Sequence, residues 1–494
     1  MGGRRLFFVL CVGMLFPGER GIIREQEKED VPVVRNVTGN PEKRVTGKPN
    51  IVFILTDDQR WDTLGVYGNS SIKTPNIDRL AREGALFLNG YVSAPLCCPS
   101  RATFLTGLYP HQTGIVTNGR GRTTIPEGVK TVADYLNEAG YITGFVGKVH
   151  LDGGPNRWGF REAPVYLPGG GSRHQNPVLV VEGNQRILPG KVRQNEDAED
   201  EYLSNPGEPQ RVEGLITPIF IDAGIRFLER HKEDEKPFFL WIATTAPHTP
   251  YYNDPKFPYL RALIAPPPGF PDPVLSAEDW EGYYSTISHL DNHLGRLFQK
   301  MKEFGMEENT VIIFSSDNGF MMGSHQRRGK AIWYEESVRV PWIIKWKGKI
   351  PAGSIISAPV SSVDFLPTVL EIAGIPVPLE YEGKSILHAL GVTPGPVREI
   401  VYSEVRGNIK QTPGQRGFYG ALLWQMVRTQ EFKYVRLSNG AEILYDLRKD
   451  PKEMTNVAGE KEYAGVMEQM RSRYQEWLQQ TPAHPFARYN LGNP

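Results

Sequence analysis

Short apolar runs that end in reactive polar residues constrain this chain most. Asn50 to Leu55 runs into Thr56-Asp57-Asp58, and Tyr141 to Val146 into Gly147-Lys148-Val149-His150. Pro237 to Thr245 runs into Ala246-Pro247-His248, and Thr310 to Phe314 into Ser315-Ser316-Asp317-Asn318-Gly319. Apolar runs of this length without polar alternation mark strands buried on both faces. Helical segments fall between them. Thr74-Pro75 opens one carrying Ile77, Leu80 and Ala81, and others are expected over Thr131–Ala139, Ile219–Arg230, Trp280–Phe304 and Asp364–Ala373. With a further strand at Val340–Trp346, the alternation predicts an α/β fold: a large mixed, mostly parallel sheet sandwiched by helices.

The texture changes after about residue 376. Ala421–Arg428, Phe432–Leu437 and Glu442–Leu447 read as short strands at meander spacing. Tyr463, Val466, Met467, Met470, Tyr474, Trp477 and Leu478 then share one helical face. A smaller antiparallel sheet with a closing helix is expected there. Residues 151–212, rich in Gly, Asn, Pro and charge, read as a long surface excursion, and Pro250–Pro273 as a second loop.

Residues 1–18 have the form of a secretory signal peptide. Arg4 and Arg5 precede the apolar run Leu6–Phe16, which Pro17-Gly18 breaks. That run is shorter than the roughly 20 residues a spanning helix needs, and no later segment qualifies, so no transmembrane segment is expected. Residues 19–48 read as a flexible lead-in. The reading is an exported protein, periplasmic or extracellular in a bacterium and secretory or lysosomal in a eukaryote. Lys+Arg and Asp+Glu number 56 each, so bulk charge gives no pull toward nucleic acid. The chain has 3 Cys, of which Cys11 lies in the leader and Cys97 and Cys98 are adjacent. Adjacent cysteines rarely bond to each other, which rules out a disulfide scaffold.

In open α/β sheets, ligands bind beyond the carboxyl ends of the strands. Asp57, Asp58, Asp317 and Asn318 there are hard oxygen donors, suited to Ca²⁺ or Mg²⁺. Each pair alone is more often a turn; behind two strongly apolar strands they favour a metal. Lys148, His150, His248 and Lys330 offer anion-holding and proton-transferring groups, although any one of them alone is more often a structural His or a solvated Lys. Pro99 fits the first turn of a helix that begins at Cys97, with Arg101 one turn in. That is a thiol beside an anion-binding helix end, with a lowered pKa, or else a cysteine filling a strand–helix junction.

Cys97-Cys98-Pro99-Ser100-Arg101 through Leu105-Thr106-Gly107 resembles the signature of type I sulfatases, with Cys98 at its variable position. The likeness extends in order through Pro49-Asn50-Ile51-Val52, Asp57-Asp58, Gly147-Lys148-Val149-His150, Pro247-His248, Asp317-Asn318-Gly319 and Lys330. It implies an alkaline phosphatase-like fold, with a catalytic domain at 49–375 and a C-terminal subdomain at 376–494. It also implies that a separate formylglycine-generating (sulfatase-maturing) enzyme oxidises Cys97 to formylglycine, recognising Pro99 and Arg101. One Ca²⁺, with Mg²⁺ as the alternative, would be held by Asp57, Asp58, Asp317, Asn318 and modified Cys97. Arg101 and Lys148 would fix the formylglycine hydrate, His150 would act as its base, and His248 and Lys330 would meet the sulfate and leaving oxygen. One hydroxyl of the hydrate attacks sulfur, and the second expels sulfate by re-forming the aldehyde.

The implied substrate is a sulfated saccharide. Its pocket rim is sought at His111, Asn118, His325, Arg327 and Arg328, since Asp58-Gln59-Arg60-Trp61 and Leu108-Tyr109-Pro110-His111 look like stretches of carbohydrate-acting members. The alternative is a phosphate or phosphonate monoester hydrolase on the same fold. A non-catalytic glycan-binding relative should have lost Cys97, a metal ligand or a catalytic His, and none is missing.

Overall fold

The computed structural model describes residues 47–119, 123–171, 174–181, 192–193, 209–260, 277–408 and 421–484. The apolar runs form its central strands: β1 (Asn50–Thr56), β2 (Ile142–Lys148), β3 (Phe238–Ala243) and β4 (Thr310–Ser316). They lie parallel in the order β4-β1-β3-β2, inside an eleven-stranded sheet. Thr56 stands opposite Ser316, and both Leu55 and Gly147 stand opposite Ala243. The carboxyl ends are therefore level, and the polar residues that follow them emerge along one edge.

Burial explains the unbroken apolar runs. Ile51, Phe53 and Leu55 of β1 enter one core layer with Phe104, Trp241 and Phe365. Val52 and Ile54 enter the other, with Leu240, Ile242, Tyr283 and Leu290. Phe53 lies 4.8 Å from the Trp241 ring and 4.1 Å from Phe365, centroid to centroid. Each such buried side chain contributes about 1.5–3 kcal/mol relative to exposure.

One reading of the sequence is corrected, and two short strands that it did not show are added. The 151–212 segment is not simply a surface excursion. Glu162–Leu167 pairs in parallel with β2, and Val178–Val181, Gln210–Val212 and Val192–Arg193 extend that edge of the sheet. Pro164 concealed the first of these, because proline cannot donate to a ladder. Gly144 pairs with Glu162 but Val146 with Val165, so Ala163-Pro164 falls in a bulge where that donor is not needed. At the other edge Trp342–Trp346 runs antiparallel to β4, followed by Ala85–Phe87 and Ser354–Ile356. The last two have three residues each, too few to show a period. The leader at 1–18 and the lead-in up to residue 46 lie outside the described residues, as do 261–273 of the second loop. Among the described residues no helix is long and apolar enough to cross a membrane.

The C-terminal meander has four antiparallel strands in sequential order, Val401–Asn408, Ala421–Arg428, Phe432–Leu437 and Glu442–Asp446. One face, through Val427, Tyr434 and Leu444, takes Met467 and Met470 of the closing helix Ala464–Gln480. The other, through Val405, Trp424, Met426 and Val435, backs Met321, Trp333 and Val338. That backed segment carries Lys330.

Candidate active site

Cys97 opens helix α1 (Cys97–Thr106), all of which is buried, and Gly107 ends it in the left-handed conformation. Pro99 sits in the first turn, where its missing N–H costs nothing. The Leu96 side chain cannot cap the helix, but Asn118 Oδ1 accepts the Cys98 N–H at 3.0 Å. The Cys97 sulfur lies 2.8 Å from Lys330 Nζ, 3.6 Å from Asp57 Oδ1 and 3.9 Å from Lys148 Nζ.

The strand-end acids are tied together by the basic residues. Lys148 Nζ donates to Asp57 Oδ2 at 2.5 Å. Arg101 places Nε and Nη2 on Asp317 Oδ2 at 3.0 and 2.7 Å, and Nη1 on the Lys148 carbonyl at 2.8 Å. The Asp58 N–H donates to Asp317 Oδ1 at 3.2 Å, and Asn318 Nδ2 to Asp58 Oδ1 at 2.6 Å. Lys330 Nζ contacts the same Asp58 oxygen. His248 donates Nδ1–H to the Thr249 carbonyl at 2.6 Å, which turns Nε2 toward Asp58 Oδ2 at 3.7 Å. Asp58 and His150 both adopt positive φ, +65° and +53°. Residues other than glycine do so at some cost, and such strain gathers at functional sites.

Burial sets the electrostatics. It raises the Asp57 carboxyl, but Lys148, His248, Lys330 and Arg101 outweigh it and hold Asp57 well below the carboxylate range. Asp317 is pushed up to about 6 by burial and by the charge of Asp57. The Cys97 thiol is pushed up to about 12 by burial, against the pull of Lys148 and Lys330. The lowered thiol pKa expected at the helix end is thus corrected: desolvation exceeds the help from the cations. Burial, Lys148 and Arg101 together hold His150 well below its usual value.

The sequence candidates divide into two groups. Asp57, Asp58, Cys97, Arg101, Lys148, His248, Asp317, Asn318 and Lys330 converge through the contacts above. His150 stands beside them with a buried Nδ1 that has no hydrogen-bond partner. Asn118 abuts the cysteine pair. His111 is held elsewhere, with Nδ1 on Glu404 Oε1 and Nε2 on the Thr481 carbonyl, both at 2.6 Å. His325 is buried and stacked on Tyr334 at 3.6 Å. Arg327 is half-buried, and exposed Arg328 pairs with Asp279 at 2.7 Å.

Sequence reading missed Tyr283 and Arg60. The Tyr283 hydroxyl donates to the Asp58 carbonyl at 2.6 Å and accepts the Arg60 N–H at 3.0 Å. Arg60 forks onto Asp62 and also reaches the Met321 carbonyl and Ser324 Oγ. Apart from Asp62, two positions along, these partners lie more than 220 positions apart in the chain, so no local pattern announces them.

The donor set fits a hard divalent cation. Asp57, Asp58, Cys97 and His248 offer ligand atoms within 4.8 Å of one another. Asp58 Oδ2 and Asn318 Oδ1 are buried without a hydrogen-bond partner, which costs free energy unless another group is met. Three carboxylates already balance Lys148, Lys330 and Arg101, so an incoming anion adds uncompensated negative charge. Oxygen donors of this kind suit Ca²⁺ or Mg²⁺.

A doubly covered mixed sheet, parallel at its centre, with acids, bases and a cysteine at its carboxyl edge has the layout of the alkaline phosphatase-like fold. Comparison narrows the class: the chain belongs to the sulfatase family and is a sulfuric ester hydrolase. A sulfatase family profile matches residues 49–375, and one for the C-terminal part of N-sulphoglucosamine sulphohydrolase matches 323–480. The chain is 30% identical to the ulvan-active sulfatase of Formosa agariphila, over 87% of this chain and 81% of that one. It is 28% identical to an N-acetylglucosamine-6-O-sulfatase of Bacteroides thetaiotaomicron, over 89% and 88%. Among solved structures it is similar to BT4656 in complex with its substrate D-glucosamine-2-N,6-O-disulfate. That match has a TM-score of 0.72 and 26% identity, covering 88% of this chain and 98% of that one. The phosphonate monoester hydrolase of Agrobacterium radiobacter shares the fold, with a TM-score of 0.67 and 23% identity, over 88% and 96%.

Proposed function

We propose that this chain hydrolyses a sulfate ester on a sulfated saccharide, with Cys97 acting after oxidation to formylglycine by a separate maturing enzyme. The observation that carries this reading is the convergence of Asp57, Lys148 and Lys330 on the Cys97 sulfur at the start of α1. A bound Ca²⁺ would supply charge neutralisation there, and the oxidised Cys97 side chain would supply the attacking hydroxyl. Asp57, Asp58, Asp317 and Asn318 would be the oxygen donors for the cation. Lys148 and Arg101 orient the Cys97 side chain, and His150 stands as proton acceptor. Lys330 and His248 face the sulfate and its leaving oxygen, where fixed positive and donor groups stabilise the charge of the transition state. The saccharide class rests on the relatives named above. Residues 49–375 carry the site, 376–494 form a subdomain that braces it, and the apolar leader directs export.

Peptide mass spectrometry of active enzyme should find an aldehyde at Cys97, and full activity with an intact thiol would sink the mechanism. Chelation of divalent ions should abolish turnover and lower Tm, with Ca²⁺ restoring both. A panel of sulfated saccharides should release sulfate. Turnover of phosphonate or phosphate esters with no sulfate release would favour the other hydrolase of this fold.

A further inference from the structure

His248 is held by three of its polar groups. Its N–H donates to the Thr245 carbonyl at 2.8 Å, and its ring Nδ1–H to the Thr249 carbonyl at 2.6 Å. Both of these holds are local to the turn after β3. The third comes from His174, 74 positions away, whose Nε2 lies 2.9 Å from the His248 carbonyl oxygen. A carbonyl only accepts, so His174 Nε2 carries the proton in this bond. His174 is buried, with 7% of its surface exposed. Its burial lowers its basicity, so the ring acts as a neutral donor.

The stretch around His174 is anchored to the start of a helix. The Ile216 N–H donates to the His174 carbonyl at 2.8 Å, at the start of the helix Ile216–Arg230. Asn176 and Gly214 exchange hydrogen bonds at 2.7 and 2.9 Å. The same stretch reaches the second histidine. The Pro168 carbonyl accepts the His150 N–H at 3.2 Å, and a Cβ at Gly170 would stand 2.2 Å from His150 Nε2.

We infer that His174 is a positioning residue for the sulfatase reaction: its Nε2–H fixes the peptide plane between His248 and Thr249, and so the aim of the His248 ring. That plane places the nitrogen and Cα of Thr249, from which the chain runs one peptide further to the Thr249 carbonyl, the acceptor that turns His248 Nε2 toward Asp58. A reacting group displaced by about 1 Å can lose on the order of 100-fold in rate. The inference rests on the role proposed above for His248.

The test is turnover of an aryl sulfate by matured, metal-loaded enzyme. His174→Leu removes the donor at similar volume and should lower kcat by about 10- to 100-fold, with KM changed less than about threefold. His174→Gln keeps an N–H donor at the reach of Nε2 and should recover most of that loss. If the leucine variant does not fold, His174→Asn serves, because its shorter amide cannot reach the carbonyl. In a His248→Ala background, loss of the His174 donor should add no further cost, since the two act as one unit. Equal kcat for the leucine and glutamine variants, or a kcat loss that tracks a fall in Tm, would overturn the inference. The two readings fail differently. Wild-type turnover by His248→Ala removes the role proposed for His248, whereas an inactive His248→Ala beside a fully active His174→Leu removes only the positioning role.

Discussion

Cys97 and Cys98 are neighbours with separate tasks. Cys97 faces Asp57 and the two lysines, while the Cys98 thiol donates to the His150 carbonyl at 2.8 Å. That bond ties the helix start to a residue held at φ +53°, next to the end of β2. Cys98→Val removes the donor from a part-buried carbonyl, which should cost about 0.5–1.5 kcal/mol in urea unfolding. It should also lower kcat, whereas Cys98→Ser, which keeps a donor, should lie nearer wild type in both measurements. Cys97→Ala should abolish sulfate release by at least about 1000-fold while leaving the unfolding midpoint close to wild type. At this scale the sequence was legible wherever the chemistry is contiguous. The acids after β1 and β4 and the helix-opening cysteine could be read directly. The task of Cys98 could not, because its partner lies 52 positions away. Nor could the place of His111, whose partners Glu404 and Thr481 lie 293 and 370 positions away.

Elements carry the site because their backbones leave no room to shift. Gly147 has φ +114°, and a Cβ built there would stand 1.8 Å from the Ala243 carbonyl oxygen of β3. A strand backbone in the middle of a sheet cannot yield as a side chain can. Gly147→Ala should therefore destabilise the fold by more than about 2 kcal/mol. It should also move Lys148 off Asp57, so that the variant turns over poorly even below its lowered Tm. A variant with wild-type Tm and kcat would show that the strand end relaxes freely. The central strands and main helices were legible from apolar runs and caps, with ends displaced by a few residues. Glu162–Leu167 was not, since its proline argues against a strand unless the bulge opposite Gly144–Val146 is known. A pairing register of that kind is a property of two strands together.

The meander and the main sheet meet through polar contacts as well as the core behind Lys330. Trp424 Nε1 donates to the Ala331 carbonyl at 3.0 Å, and the Glu404 N–H to the Ser93 carbonyl at 2.9 Å. The ring of His111 is clasped between Glu404 Oε1 and the Thr481 carbonyl, and meets Trp477 edge-on at 5.1 Å. Burial lowers the basicity of this histidine, but the Glu404 charge and hydrogen bond outweigh it and raise His111 above the ordinary 6.5. A group whose folded pKa exceeds its unfolded one contributes stability that is complete below the unfolded value. That contribution is lost as pH rises through the folded value. The clasp should therefore hold fully below about pH 6.5 and weaken above it, each unit of upward shift being worth about 1.4 kcal/mol. His111→Gln should cost about 3 kcal/mol at low pH, because Glu404 loses its charged partner in a buried place. Urea midpoints of both proteins across neutral and alkaline pH decide the matter. Their difference should be largest at the acidic end and shrink as pH rises, and a difference independent of pH would show that His111 stays neutral in the fold.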